Sequence, residues 1–120
     1  MRKRKKVYVS MRGDLLHHGH INIIDIARNL GEVTVGLLTD KAIASHRQPP
    51  MLNYEQRKKI VENIKGVKNV IPQETQDYVS NLRKLKPDYF VHGTDWKYDA
   101  RKETRKTVIK VMKEWDGKLV

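Results

Sequence analysis

The sequence predicts an α/β protein with a parallel sheet, and three observations make that prediction. Short β-branched segments alternate with segments of helical apolar spacing, glycine and proline fall between them, and the most polar stretches come directly after the strands. The 120 residues suit one domain with one core, and neither an internal repeat nor a low-complexity segment interrupts them.

Each element has a local reason. Residues 6–10 (KVYVS) are β-branched and aromatic, as a short buried strand requires, and residues 11–13 (MRG) break it. In the helix that follows, Ile23, Ile26, Ala27 and Leu30 recur at i, i+3, i+4 and i+7, and Gly31 is suited to a left-handed cap. Residues 32–38 (EVTVGLL) form the second strand. Residues 54–64 have helical spacing, with Ile60, Val61 and Ile64 expected inward and a stop at Gly66. Residues 68–71 (KNVI) make a third strand closed by Pro72. Asp77 is placed to cap a helix running to Leu85, which Pro87 prevents from extending. Residues 88–92 (DYFVH) are the fourth strand, residues 101–115 a basic helix stopped by Asp116 and Gly117, and residues 118–120 the start of a fifth strand. Right-handed crossovers then place helices on both faces of the sheet. Residues 40–53, which contain Pro49 and Pro50, read as a long loop of the kind that often covers a binding site.

Composition removes several classes of function. With no cysteine there is neither a disulfide scaffold, a thiolate metal site nor a thiol nucleophile. At 38% hydrophobic residues the chain can build a core, yet its apolar runs fall far short of the roughly 18 residues that span a bilayer. Residues 1–6 are basic without a following apolar stretch, so a soluble cytoplasmic protein with no membrane partner is expected. The net charge of +11 is concentrated at the ends: +5 in residues 1–6 and +4 in residues 97–120. Clustered cations of this kind allow a nucleic-acid-binding module as an alternative from another class, because they release counterions from phosphates. A solvated basic end explains the same charge, and it is preferred.

In an open parallel α/β sheet, ligands bind beyond the carboxyl ends of the strands. After strand one comes Asp14-Leu15-Leu16-His17-His18-Gly19-His20, at a helix entrance where free N–H groups and the helix dipole favour an anion. His17 and His20 are three apart and can face one phosphate, while Gly19 lets a ligand approach the backbone. A second polar cluster, Tyr54-Glu55-Gln56-Arg57, follows the proline-containing loop. A third, His92-Gly93-Thr94-Asp95-Trp96, follows strand four, where an acid and an indole could read and cover a planar base. There is no Walker pattern, which argues against a kinase acting on a γ-phosphate.

Together the three clusters resemble those of the nucleotidyltransferase superfamily that shares a His-x-Gly-His signature with class I aminoacyl-tRNA synthetases, and in particular its small cytidylyltransferases. The likeness runs from Val7 to about Trp115. Glycerol-3-phosphate cytidylyltransferases have similar segments at Asp14 to His20, Tyr54 to Arg57 and Gly93 to Trp96. Met11-Arg12-Gly13-Asp14, where those enzymes have Gly-Thr-Phe-Asp, more closely resembles the cytidylyltransferases of phosphonate biosynthesis, which occur alone or fused to another enzyme of that pathway. The resemblance implies a Rossmann-like sheet with the His-x-Gly-His nucleotidyltransferase fold, the dimeric assembly of its relatives, and CTP with Mg2+ as the reacting pair.

Carried across by position, the resemblance makes His17 and His20 the pair that contacts the triphosphate and stabilises the transition state, with Arg57 also on phosphate. Arg47 stands where a flexible-loop lysine is usual, and Lys41 is the reserve catalytic cation. Ser10, Met11, Asp14 and Gly19 would line the nucleotide, and His92, Gly93, Asp95 and Trp96 its cytidine side. Arg12 would face the acceptor. The family's Gly-Ile-Ser/Thr-Ser/Thr segment does not occur before Val120, which implies a single domain, residues 1–120, lacking that segment. The expected reaction is transfer of CMP from CTP to 2-aminoethylphosphonate or 2-hydroxyethylphosphonate, with glycerol 3-phosphate, or adenylyl transfer from ATP to another phosphate acceptor, as the alternative. An anionic oxygen attacks the α-phosphorus and pyrophosphate leaves, so positioning and charge neutralisation suffice without a general base.

Overall fold

The computed structural model describes residues 5–13, 16, 18–44, 50–74, 78–91 and 102–120, with residues 102–104 described by backbone alone. Among these, five strands form one parallel sheet in the order β3-β2-β1-β4-β5. The strands are β1 (Lys6–Met11), β2 (Glu32–Leu38), β3 (Val67–Gln73), β4 (Tyr89–Val91) and β5 (Lys118–Leu119). The helices are α1 (His18–Leu30), α2 (Asp40–Ala44), α3 (Tyr54–Glu62), α4 (Val79–Leu85) and α5 (Lys102–Met112), the last followed by a 3-10 turn at Lys113–Trp115. The chain reverses direction across the sheet at β1, which pairs with β2 on one side and β4 on the other. That is the switch point at which open α/β sheets hold ligands.

Alternation along β1 sends its side chains to two separate cores. Val7, Val9 and Met11 join Val33, Val35, Leu37 and Val91 against Ile24 and Ala27 of α1 and Val61 of α3. Tyr8 points the other way, with Phe90, into Leu82 of α4 and Val108, Val111 and Met112 of α5. Asp88 closes the amino end of the β1–β4 pair: its Oδ2 accepts from the Lys6 N–H at 2.8 Å and its own N–H donates to the Lys6 carbonyl at 2.8 Å.

Several local expectations change. Ile26 and Ile60 are exposed, at 51% and 46%, because the stripe that meets the sheet runs through Ile24 and Ala27 on α1 and Val61 on α3. Gly31 does not take a left-handed conformation. Its role is close approach, since a Cβ there would fall 2.2 Å from the Lys5 carbonyl oxygen, which accepts the N–H of Glu32. The stretch expected to be a loop opens with α2, whose Ala42 N–H is capped by Thr39 Oγ1 at 3.2 Å. Pro72 lies inside β3 instead of ending it, which an edge strand tolerates because no neighbour needs the missing N–H. The Asp77 cap lies outside the described residues. No helix among the described residues is long and apolar enough to cross a membrane.

Candidate functional site

Among the described residues, Ser10 and Met11 end β1, Arg12 follows it, and Asp40 and Lys41 open the helix that follows β2. α1 begins at His18, so Gly19 and His20 occupy its first turn, both half-buried, at the end where N–H groups have no intrahelical acceptor. His17 and Asp14 lie outside the described residues, as do Arg47 and the cluster His92, Gly93, Asp95 and Trp96; the chain order puts that cluster directly after β4.

The residues at the end of β1 divide by face. Met11 is only 7% exposed and its side chain belongs to the core against α1 and α3, so any contact it makes with a nucleotide runs through its backbone. Ser10 is half-buried on the opposite face, where its hydroxyl donates to Gln73 Oε1 at 2.9 Å. The same oxygen accepts from the Tyr8 hydroxyl at 2.6 Å, and Asn81 donates to Tyr8 Oη and to the Pro72 carbonyl, both at 3.0 Å. Gln73 is 2% exposed, and this shared acceptor keeps its buried amide oxygen satisfied. Burial pushes the Tyr8 hydroxyl pKa well above the ordinary tyrosine range.

Arg57 is placed differently from its expected phosphate-holding role. Its guanidinium is completely buried. Nε donates to the Leu52 carbonyl at 3.0 Å, Nη1 to the Arg12 and Leu38 carbonyls at 2.6 Å each, and Nη2 to Asp40 Oδ1 at 2.7 Å. Four of its five N–H groups are therefore engaged by protein acceptors, and Asp40 supplies the counter-charge from a side chain 49% exposed. In this arrangement a phosphate would have to displace those acceptors to reach it. Asn53 starts α3 with a capping box, accepting from the Gln56 N–H while the Gln56 side chain accepts from the Asn53 N–H, and this fixes the turn that carries Arg57. Tyr54 stands beside the guanidinium, its ring centroid 5.8 Å from the Arg57 Cζ. Its buried hydroxyl lacks a hydrogen-bond partner among the described residues, and burial raises its pKa.

Lys41 is exposed on α2, next to Asp40, and Arg12 is half-buried just past β1. Asp40 and the Tyr8–Gln73–Asn81 network are features the sequence reading missed. Asp40 had a signal, as an acid directly after a strand; the network had none, because its members come from β1, β3 and α4.

The sequence profile of the cytidylyltransferase-like family matches residues 13–118. The glycerol-3-phosphate cytidylyltransferase of Bacillus spizizenii is 39% identical over 103 residues, covering 82% of this chain and 80% of that protein. The FAD synthase of Ferroglobus placidus is 32% identical over 109 residues, covering 88% of this chain and 72% of that protein. Among solved structures, the lipopolysaccharide core biosynthesis protein of Thermoplasma volcanium superposes with a TM-score of 0.80 over 97% of this chain and 94% of that one, and at 21% identity this likeness concerns the fold. A parallel sheet with its switch point at β1, a helix entered through His18-Gly19-His20, and a family match spanning nearly the whole chain lead to one assignment: the protein is a nucleotidyltransferase of the cytidylyltransferase-like family.

Proposed function

We propose that the protein transfers CMP from CTP to a small acceptor bearing a phosphate, with glycerol 3-phosphate or a compound of similar size as the acceptor. The observation that carries this reading is the family match over residues 13–118, joined to a relative 39% identical that is a glycerol-3-phosphate cytidylyltransferase. A phosphonate such as 2-aminoethylphosphonate is the second reading, and it rests on Met11-Arg12-Gly13-Asp14, where the glycerol-3-phosphate enzymes differ.

In the reaction an acceptor oxygen, anionic at neutral pH, forms a bond to the α-phosphorus of CTP while the bond from that phosphorus to the bridging oxygen breaks and pyrophosphate departs. His20, in the first turn of α1, and His17 before it take the charge that grows on the α-phosphoryl oxygens, helped by the N–H groups of the helix end. Lys41 and Arg47 neutralise the triphosphate, and the segment from His92 to Trp96 receives the cytidine. Mg2+ belongs to this reading as the ion that offsets triphosphate charge. Among the described residues no group of three His, Asp or Glu side chains is placed to hold a metal, so no step is assigned through it. Self-association as a homodimer is part of the same reading.

Pyrophosphate release tests it, measured with CTP or ATP against glycerol 3-phosphate and the two phosphonates. The expected result is CTP-dependent release that is fastest with glycerol 3-phosphate. Preference for a phosphonate selects the second reading, and release only with ATP rejects cytidylyl transfer. His20→Ala should lower turnover about 100-fold or more while changing CTP binding far less, since it removes a donor to the transition state.

A further inference from the structure

We infer that Arg57 is a positioning residue, which sets the two segments leading to the nucleotide without touching phosphate itself. For its kinetic consequences this rests on the cytidylyl-transfer reading above. One guanidinium gathers carbonyls from three separate segments: Arg12 just beyond β1, Leu38 at the end of β2, and Leu52 before α3. Its remaining described bond reaches Asp40, the first residue of α2. The Arg12 and Leu38 carbonyls share the single nitrogen Nη1, so the ends of β1 and β2 are held within one group's reach of each other.

A second observation, independent of hydrogen bonding, locates the same tie. Gly13 has a φ of +75°, and a Cβ there would lie 2.5 Å from Leu37 Cδ1, 3.5 Å from Val61 Cγ2 and 3.8 Å from the Arg57 Cβ. The backbone after β1 is thus laid directly on the stem of Arg57 and on β2. Residues 14–20 continue from that point, and Lys41 follows Asp40, so the segment bearing the histidines and the segment bearing the cations take their starting positions from one side chain. A lysine could keep the charge opposite Asp40, but its donors radiate from one atom and cannot span the same acceptors. Small displacements of catalytic groups are expensive, with about 1 Å costing up to about 100-fold in rate.

The test compares Arg57→Lys with the unaltered protein in two measurements, one of which needs no nucleotide. Amide hydrogen exchange in ligand-free protein should accelerate about tenfold or more at residues 12–13 and 42–44, with residues 33–37 in the body of β2 unchanged, because the carbonyl ties at Arg12, Leu38 and Leu52 are lost while the sheet pairing of β2 is kept. Turnover in pyrophosphate release should fall about tenfold or more while the CTP Kd by calorimetry changes less than about threefold. Weakening of CTP binding by about tenfold or more with unaltered exchange would instead make Arg57 a phosphate ligand and overturn the inference. Unaltered exchange and turnover together would also overturn it. Should Arg57→Lys fail to fold, Asp40→Asn serves: faster exchange at residues 42–44 supports the tie, and unchanged exchange there rejects it. If the unaltered protein releases no pyrophosphate from CTP, the functional reading falls while the exchange measurement still decides the positioning role.

Discussion

Between the sheet and α1 and α3, the buried cluster is made of Val, Ile, Leu, Ala and Met side chains; between the sheet and α4 and α5, it includes two tyrosines and a phenylalanine around a buried polar network. Phe90 meets Tyr8 and Tyr78 edge-on, with centroids 5.4 and 5.2 Å apart and interplanar angles of 74° and 77°. The first face relies on non-directional burial, which tolerates a change of shape at constant volume. The second depends on direction, because its rings meet edge-on and the Tyr8 hydroxyl has fixed partners in Gln73 and Asn81. Arg57 brings directional bonding to the first face as well, at the carboxyl ends of β1 and β2.

The sharpest way to break this contrast is at Gly36. A Cβ on that residue would lie 1.6 Å from the Tyr8 hydroxyl oxygen and 2.3 Å from its Cζ, so the ring must move and the hydrogen bonds to Gln73 and Asn81 with it. Gly36→Ala should cost about 3 kcal/mol or more in denaturant unfolding, and Gly36→Ala combined with Tyr8→Leu should recover part of the loss.

A pair of nearly volume-conserving substitutions sharpens it further. Tyr8→Phe, which removes one oxygen from the directional face, should cost about 1–2 kcal/mol, whereas Leu37→Met on the packed face should cost less than about 1 kcal/mol. The tyrosine also carries a pH signature. Its folded pKa is raised, so the stability it contributes is fully present below the ordinary tyrosine pKa of about 10 and drains away as pH rises beyond it. The gap between wild type and Tyr8→Phe should therefore narrow in unfolding measurements above about pH 10.

The smallest expected effect lies on the surface joining α4 to the 3-10 turn that follows α5. Arg83 donates to Glu114 through Nε at 3.4 Å and Nη2 at 2.8 Å, and this bond is the main reason the Glu114 pKa is lowered and the Arg83 pKa raised. A lowered carboxyl pKa stabilises above its ordinary range near 4 and stops doing so as pH falls through the folded value. Both groups are solvent-exposed, so Glu114→Gln should lower Tm only slightly at neutral pH, and added salt should erase the difference.

How legible these features were in the sequence depended on whether their cause was local. The five strands and four of the helices could be read because β-branched runs and apolar spacing are properties of neighbouring residues. The phase of α1 was misread at Ile26, since adjacent isoleucines at 23, 24 and 26 permit more than one apolar stripe and only the sheet selects Ile24. α2 was missed because five residues carry too little periodicity, although Thr39 was available as a cap. At the site, the helix entrance at His18 to His20 was legible from its motif. The burial of Arg57 was not, because three of its acceptors are backbone carbonyls that any residue type would supply, brought together only by the fold.

The reciprocal bonds between Lys6 and Asp88 mark the longer of the two chain closures that β1 makes. β1 meets β2 after a short closure, whereas its pairing with β4 joins residues 82 positions apart along the chain. Each doubling of a closed loop adds only about 0.6 kcal/mol of entropic cost, so the longer closure is dearer by about 1 kcal/mol. That modest difference still favours β1, α1, β2 and β3 condensing first as a nucleus, with the aromatic half docking afterwards along a strand already in place. The central strand is then a template, and the sheet is completed only when the last pairings close.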